Sequence, residues 1–174
     1  MRSLLIGFAV LAAACTQQEA ANGACNAEIT RTIAFTAQDA EDTITAIANA
    51  PSCDKAIGVI MVRDSEGHPV WAWSSPMPRA FGDAFSTMDP AGMEAFLERW
   101  ATPTISTTQS APAWSELEHG QTTLDGATYA DIRARDLPML CHFIGTARES
   151  CVFWEPAAGG AGHFFDRTVE DEQQ

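Results

Sequence analysis

The chain reads as an α+β protein built on a mainly antiparallel sheet. Three observations point there. Two stretches, 55–75 and 137–156, each hold a pair of β-rich runs joined by turn chemistry. Several further short runs are rich in Val, Ile and Thr. One segment, 89–101, carries clear helix signals, while the other segments of helical character are short. An all-β sandwich carrying one helix is the alternative.

The elements follow in order. "CNAEITRTIAFT" (25–36) alternates around Ile29, Ile33 and Phe35 and predicts a strand, ended by the polar turn "AQDAED". "TITAIANA" (43–50) alternates as a strand, although Ile44 and Ile47 also suit a helix; strand is preferred because its neighbours are strands. Pro51 ends it either way. "KAIGVIMVR" (55–63) is nearly all apolar and predicts a strand buried on both faces. "DSEG" supplies the turn, and "HPVWAWSS" (68–75) returns. Pro76 and Pro78 then break the pattern, so "RAFGDAFSTM" reads as an irregular connection.

In "DPAGMEAFLERWA" (89–101), Asp89 is a good N-cap and Pro90 occupies the first helical position. Met93, Phe96, Leu97 and Trp100 make one apolar stripe. "TPTISTTQSAPAW" (102–114) predicts an exposed loop with a short edge strand, and "LDGATYADIRARD" (124–136) a short helix with Tyr129 and Ile132 inward. "LPMLCHFIG" and "SCVFWEP" form the second hairpin, with Leu140 opposite Val152. "AAGGAG" (157–162) reads as a flexible loop and "HFFDRTV" (163–169) as the last strand.

The N-terminus is of a different kind. Arg2 precedes an apolar run, Leu4 to Ala14, which ends in small residues. That layout marks an export signal, too short to span a bilayer. "LAAAC", closing on Cys15, resembles the lipobox of bacterial lipoprotein precursors, with Ala12 standing where leucine is commonest. The resemblance implies cleavage before Cys15, which then carries the acyl groups, and anchoring in the bilayer. Thr16, in place of an aspartate, points to the outer membrane, with the domain on its periplasmic face. A soluble periplasmic or secreted protein is the alternative. The expected organisation is therefore a signal peptide at 1–14, a flexible tether at 15–24, one globular domain at 25–169 and an acidic tail at 170–174.

Charge and cysteine count narrow the function classes. The net charge of −13 repels phosphate backbones, which argues against nucleic acid as a partner. Five cysteines become four once Cys15 carries lipid. Cys25, Cys53, Cys141 and Cys151 allow three pairings. The pairs 25–53 and 141–151 each close a local unit, and an oxidising compartment favours both.

No catalytic, metal or cofactor motif stands out. Cys141 and His142 are adjacent on a strand, so they point to opposite faces and cannot act as a nucleophile–base pair. The four histidines share no chelating spacing. Trp71 and Trp73 lie two apart on one strand face. With Arg79 in the neighbouring Pro-rich loop they outline a possible binding surface for a glycan or protein; core packing under the 89–101 helix is the other reading. The chain is thus expected to be a non-catalytic, lipid-anchored binding domain for an envelope protein, a glycan or an enzyme that it inhibits. A cell-envelope hydrolase with a dispersed site and a structural assembly subunit are the alternatives.

Overall fold

A computed structural model describes residues 25–169. Cys15, the tether at 15–24 and the tail at 170–174 lie outside them. The described chain folds as mixed α+β with two antiparallel four-stranded sheets. The first sheet is a meander of β1 (Cys25–Ile33), β2 (Asp42–Ala50), β3 (Ile57–Arg63) and β4 (Pro69–Pro76). The second is a meander of β5 (Thr104–Thr107), β6 (Pro138–Gly145), β7 (Arg148–Glu155) and β8 (Gly160–Thr168).

Three helices fill the connections. They are α1 (Met77–Phe81), α2 (Pro90–Trp100) and α3 (Gly126–Ala134). The 89–101 expectation holds: the Asp89 side chain accepts from the backbone N–H of Gly92 at 2.7 Å, and Met93, Leu97 and Trp100 are buried. The short helix expected over 124–136 is α3, capped by Asp125, with Tyr129 and Ile132 inward. The irregular connection expected after Pro76 is instead helix α1 followed by a 3₁₀ turn at Gly82–Phe85. Prolines in a first helical turn cost no hydrogen bond, because those N–H groups have no intrahelical partner.

Burial along the strands shows the layering. In β2, Asp42, Ile44, Ala46, Ala48 and Ala50 are buried and the intervening residues are not, so this sheet covers one face only. Strand β3 alternates in the same way and leaves Ile57 52% exposed. The expectation that 55–63 is buried on both faces is therefore wrong. Cross-strand neighbours Ile47, Val59 and Met61 shield one another in part, but no layer of the described residues lies over them. Strands β6 and β7 are the ones buried on both faces. On one side Leu140 and Val152 join the core of the first sheet; on the other Met139, Cys141, Cys151 and Phe153 pack under α3.

Both disulfides form, Cys25–Cys53 and Cys141–Cys151. The second joins directly opposed residues of β6 and β7, in the register that also pairs Leu140 with Val152. The last strand begins at Gly160, earlier than its sequence suggests. A register shift opposite Cys151 and Val152 leaves Phe164 as the extra residue on β8. This bulge lets Phe164 and Phe165 both enter the core beneath α3, where Phe164 stacks on Tyr129 at 4.2 Å. In the first sheet, the buried Asp42 carboxylate receives the backbone N–H groups of Phe35 and Thr36 and the Thr36 hydroxyl, closing the β1–β2 connection.

Gly58 is a close-packed point. A Cβ there would fall 2.1 Å from the Met77 sulfur and 3.2 Å from the Trp100 ring. Overpacking of this kind costs about 1–3 kcal/mol, so Gly58→Ala is expected to lower the urea midpoint accordingly with an unchanged m-value.

Candidate functional site

The sequence-derived surface is the first to test. Trp71 and Trp73 share the inner face of β4, as expected, but they turn toward the second sheet. Their rings meet the His142 imidazole edge-on at 4.5 and 5.7 Å, and Trp73 meets Trp100 at 5.8 Å. They are half-buried parts of the core margin, as the core-packing reading requires. Arg79 is exposed on α1.

His142 is 1% exposed and sits between the sheets. Its Nδ1 lies 3.1 Å from the Phe143 carbonyl, which can only accept, so Nδ1 carries the proton. Nε2 then has a bare lone pair and no partner among the described residues. Burial pushes the imidazole pKa down to about 4, partly offset by the bond to Phe143 and the Asp166 charge.

This geometry also bears on hydrolysis. Ser150 and Asp166 follow His142 across β7 and β8, so the row superficially matches a serine-hydrolase set. Yet His142 Nε2 receives no hydroxyl, so Ser150 is not activated by it. Asp166 is instead engaged by His163 at 2.9 Å and Arg148 at 3.1 Å. Cys141 is tied up in its disulfide on the opposite face from His142. Among the described residues no group of three His, Cys, Asp or Glu side chains is placed to hold a metal ion. No helix of the described residues is long and apolar enough to cross a membrane.

A largely apolar concavity lies elsewhere, between α1, the 3₁₀ turn, α2 and the β6–β7 turn. It has a volume of about 420 Å³ and is lined by Phe81, Phe85, Met88, Phe96, Trp100 and Phe143, with Arg99 and Thr146 as polar members. Each side chain has a local cause. The stripe of α2 brings Phe96 and Trp100 to one side. Helix α1 and the following turn project Phe81 and Phe85 against Phe96 at 4.9 Å each. The Trp100 indole N–H donates to the Phe143 carbonyl at 2.8 Å, which holds the β6 end against α2. Phe143 itself remains 38% exposed at the mouth.

The sequence places Phe96 and Trp100 on the apolar stripe of the helix and does not single out Phe81, Phe85 or Phe143. The signal is present in the three phenylalanines and one tryptophan between 81 and 100. The proximity of Phe143 is not. Compared with protein-family models, curated proteins and solved structures, the chain matches none. Function therefore rests on this geometry alone.

The depressed His142 pKa makes stability pH-dependent. Between about pH 6.5 and 4 the unfolded chain takes up a proton that the native state refuses, so stability falls as pH falls through that window. The contribution is about 3 kcal/mol. Urea denaturation at pH 7 and pH 4 should show it, and His142→Phe should remove that share of the difference.

Proposed function

We propose that this chain is a non-catalytic binding domain, exported and lipid-anchored through Cys15 on the periplasmic face of the outer membrane. Its groove at α2 captures an apolar segment of an envelope protein. The observation that carries this reading is the open aromatic groove with an exposed ring at its mouth. Largely apolar concavities with a few polar groups are where ligands bind. A ring left partly exposed beside such a groove contributes strongly to association when it is covered.

The chemistry favours a protein segment over a glycan at this position. The rings meet one another edge-on or tilted, which makes a cleft for side chains and not a flat stacking platform. Few polar side chains are available to satisfy sugar hydroxyls. Met88 adds an adaptable wall. Arg99 suits an acidic residue flanking the apolar segment. The four paired cysteines fit an oxidising compartment, and that in turn fits export.

Anchoring and binding are tested separately. Cys15→Ser should move the protein from the envelope pellet to the soluble fraction, and acyl mass should be lost with it; retention in the pellet speaks against the anchor. For binding, a photocrosslinking phenylalanine is placed at position 143 in cells, with position 57 on the open sheet face as control. Crosslinks to an apolar segment flanked by acidic residues should form from 143 and not from 57, and Arg99→Glu should reduce them by about tenfold or more. Equal crosslinking from both positions rejects the groove.

A further inference from the structure

Trp114 is the second exposed aromatic feature of the molecule, and nothing in the groove reading uses it. It is 48% exposed, yet its orientation is set from three sides. Its indole N–H donates to the Leu124 carbonyl at 3.3 Å. Its ring lies on Gly126, where an added Cβ would come within 3.2 Å. The 3₁₀ turn that bears it, Trp114–Glu116, is closed by the Glu116 carboxylate accepting from the Ala113 N–H at 2.7 Å. An indole exposed and held in one orientation is a ready surface on which a ligand with an apolar face can lie.

The ring lines two concavities, which share it as a common wall and form the two lobes of the site. The first, of about 390 Å³, is lined by Gln109, Tyr129 and Arg133 besides Trp114. The second, of about 430 Å³, is lined by Glu118, His119 and Thr122. Both are preformed. Arg133 is oriented by its Nε donating to the Ala111 carbonyl at 2.8 Å, and it pairs with no carboxylate among the described residues. The loop of the second lobe is fastened to β8: Thr122 donates to the Phe164 carbonyl at 2.7 Å and the Asp166 N–H to the Gln121 carbonyl at 2.6 Å.

We propose that this cleft binds a glycan in which a carboxylated sugar alternates with a neutral one. The acidic unit sits in the first lobe, its carboxylate on the Arg133 guanidinium and its ring over Trp114. The neutral unit sits in the second lobe, where a second carboxylate would meet Glu118. The apolar face of a sugar ring suits a fixed indole, and its hydroxyls suit Gln109, His119 and Thr122. An available guanidinium is the group that recognises a carboxylate best. The site is separate from the aromatic groove and does not depend on the protein segment assigned there.

The test uses the full-length protein in detergent and isothermal titration calorimetry. The probe is a tetrasaccharide alternating glucuronate and N-acetylglucosamine, compared with neutral chitotetraose and all-acidic tetragalacturonate. The alternating probe should bind tightest. Trp114→Ala should weaken the alternating and neutral probes alike, by about tenfold or more. Arg133→Gln should abolish the preference for the alternating probe over the neutral one. Ile57→Asp, on the open face of the first sheet, should leave all three affinities unchanged, and a far-UV circular dichroism spectrum should match in every variant. If no saccharide binds, if tetragalacturonate binds as well as the alternating probe, or if Trp114→Ala binds undiminished, the assignment is wrong. A short peptide carboxylate that outcompetes the alternating probe would overturn it equally.

Discussion

The indole of Trp100 is where four parts of the chain meet. It lies over Gly58 of β3, crosses Trp73 of β4 and Phe81 of α1 edge-on, and donates its N–H to the Phe143 carbonyl at the end of β6. Only 2% of it is exposed. A ring this large buries much apolar area, and its polar tip demands a partner once buried. That partner comes from the second sheet, so a single side chain couples the sheets through α2. The arrangement demands no side chain at position 58, and glycine is what stands there.

Several other features follow from this junction. Drawing the end of β6 against α2 leaves Phe143 at the surface beside Phe96 and Phe85, and the aromatic groove results. It also seats His142 between the sheets, against Trp71 and Trp73. Burial without a second hydrogen bond costs free energy, and because it penalises the charged form most, the imidazole stays neutral. The core on the far side of the second sheet is independent of this junction. There α3, the Cys141–Cys151 bridge and the bulged strand β8 enclose Tyr129, Phe164 and Phe165. The surface of that unit carries the Trp114 cleft. The groove and the cleft thus belong to different cores, which lets each act without the other.

Much of the fold was legible along the chain because its signals are local. Alternation in 43–50, the Asp89–Pro90 start of α2 and the turn residues between β3 and β4 each act within a few residues. The opposition of Cys141 and Cys151 followed from hairpin geometry. What misled was an apolar run read as two-sided burial in β3, where β-branched residues half-shield one another on an open face. The prolines at 76 and 78 misled as well, since a helix tolerates them in its first turn. Of the candidate site, the sequence showed Trp71, Trp73 and Arg79 as neighbours along the chain. It could not show that the two indoles face inward, because the second sheet that covers them lies some seventy residues further on.

By itself, then, the sequence determined the antiparallel α+β character, the hairpins, the main helix and the opposition of cysteines in the second hairpin. Periodicity, capping and turn chemistry operate at short separations and need no knowledge of the rest of the chain. Only the tertiary structure decided which strands are buried on both faces, that His142 is sealed without a partner, and that Phe81, Phe96 and Phe143 line one groove while Trp114 and Arg133 line another. Those relations join residues far apart in the chain. They exist only once packing brings the sheets and helices together, and no local pattern records them.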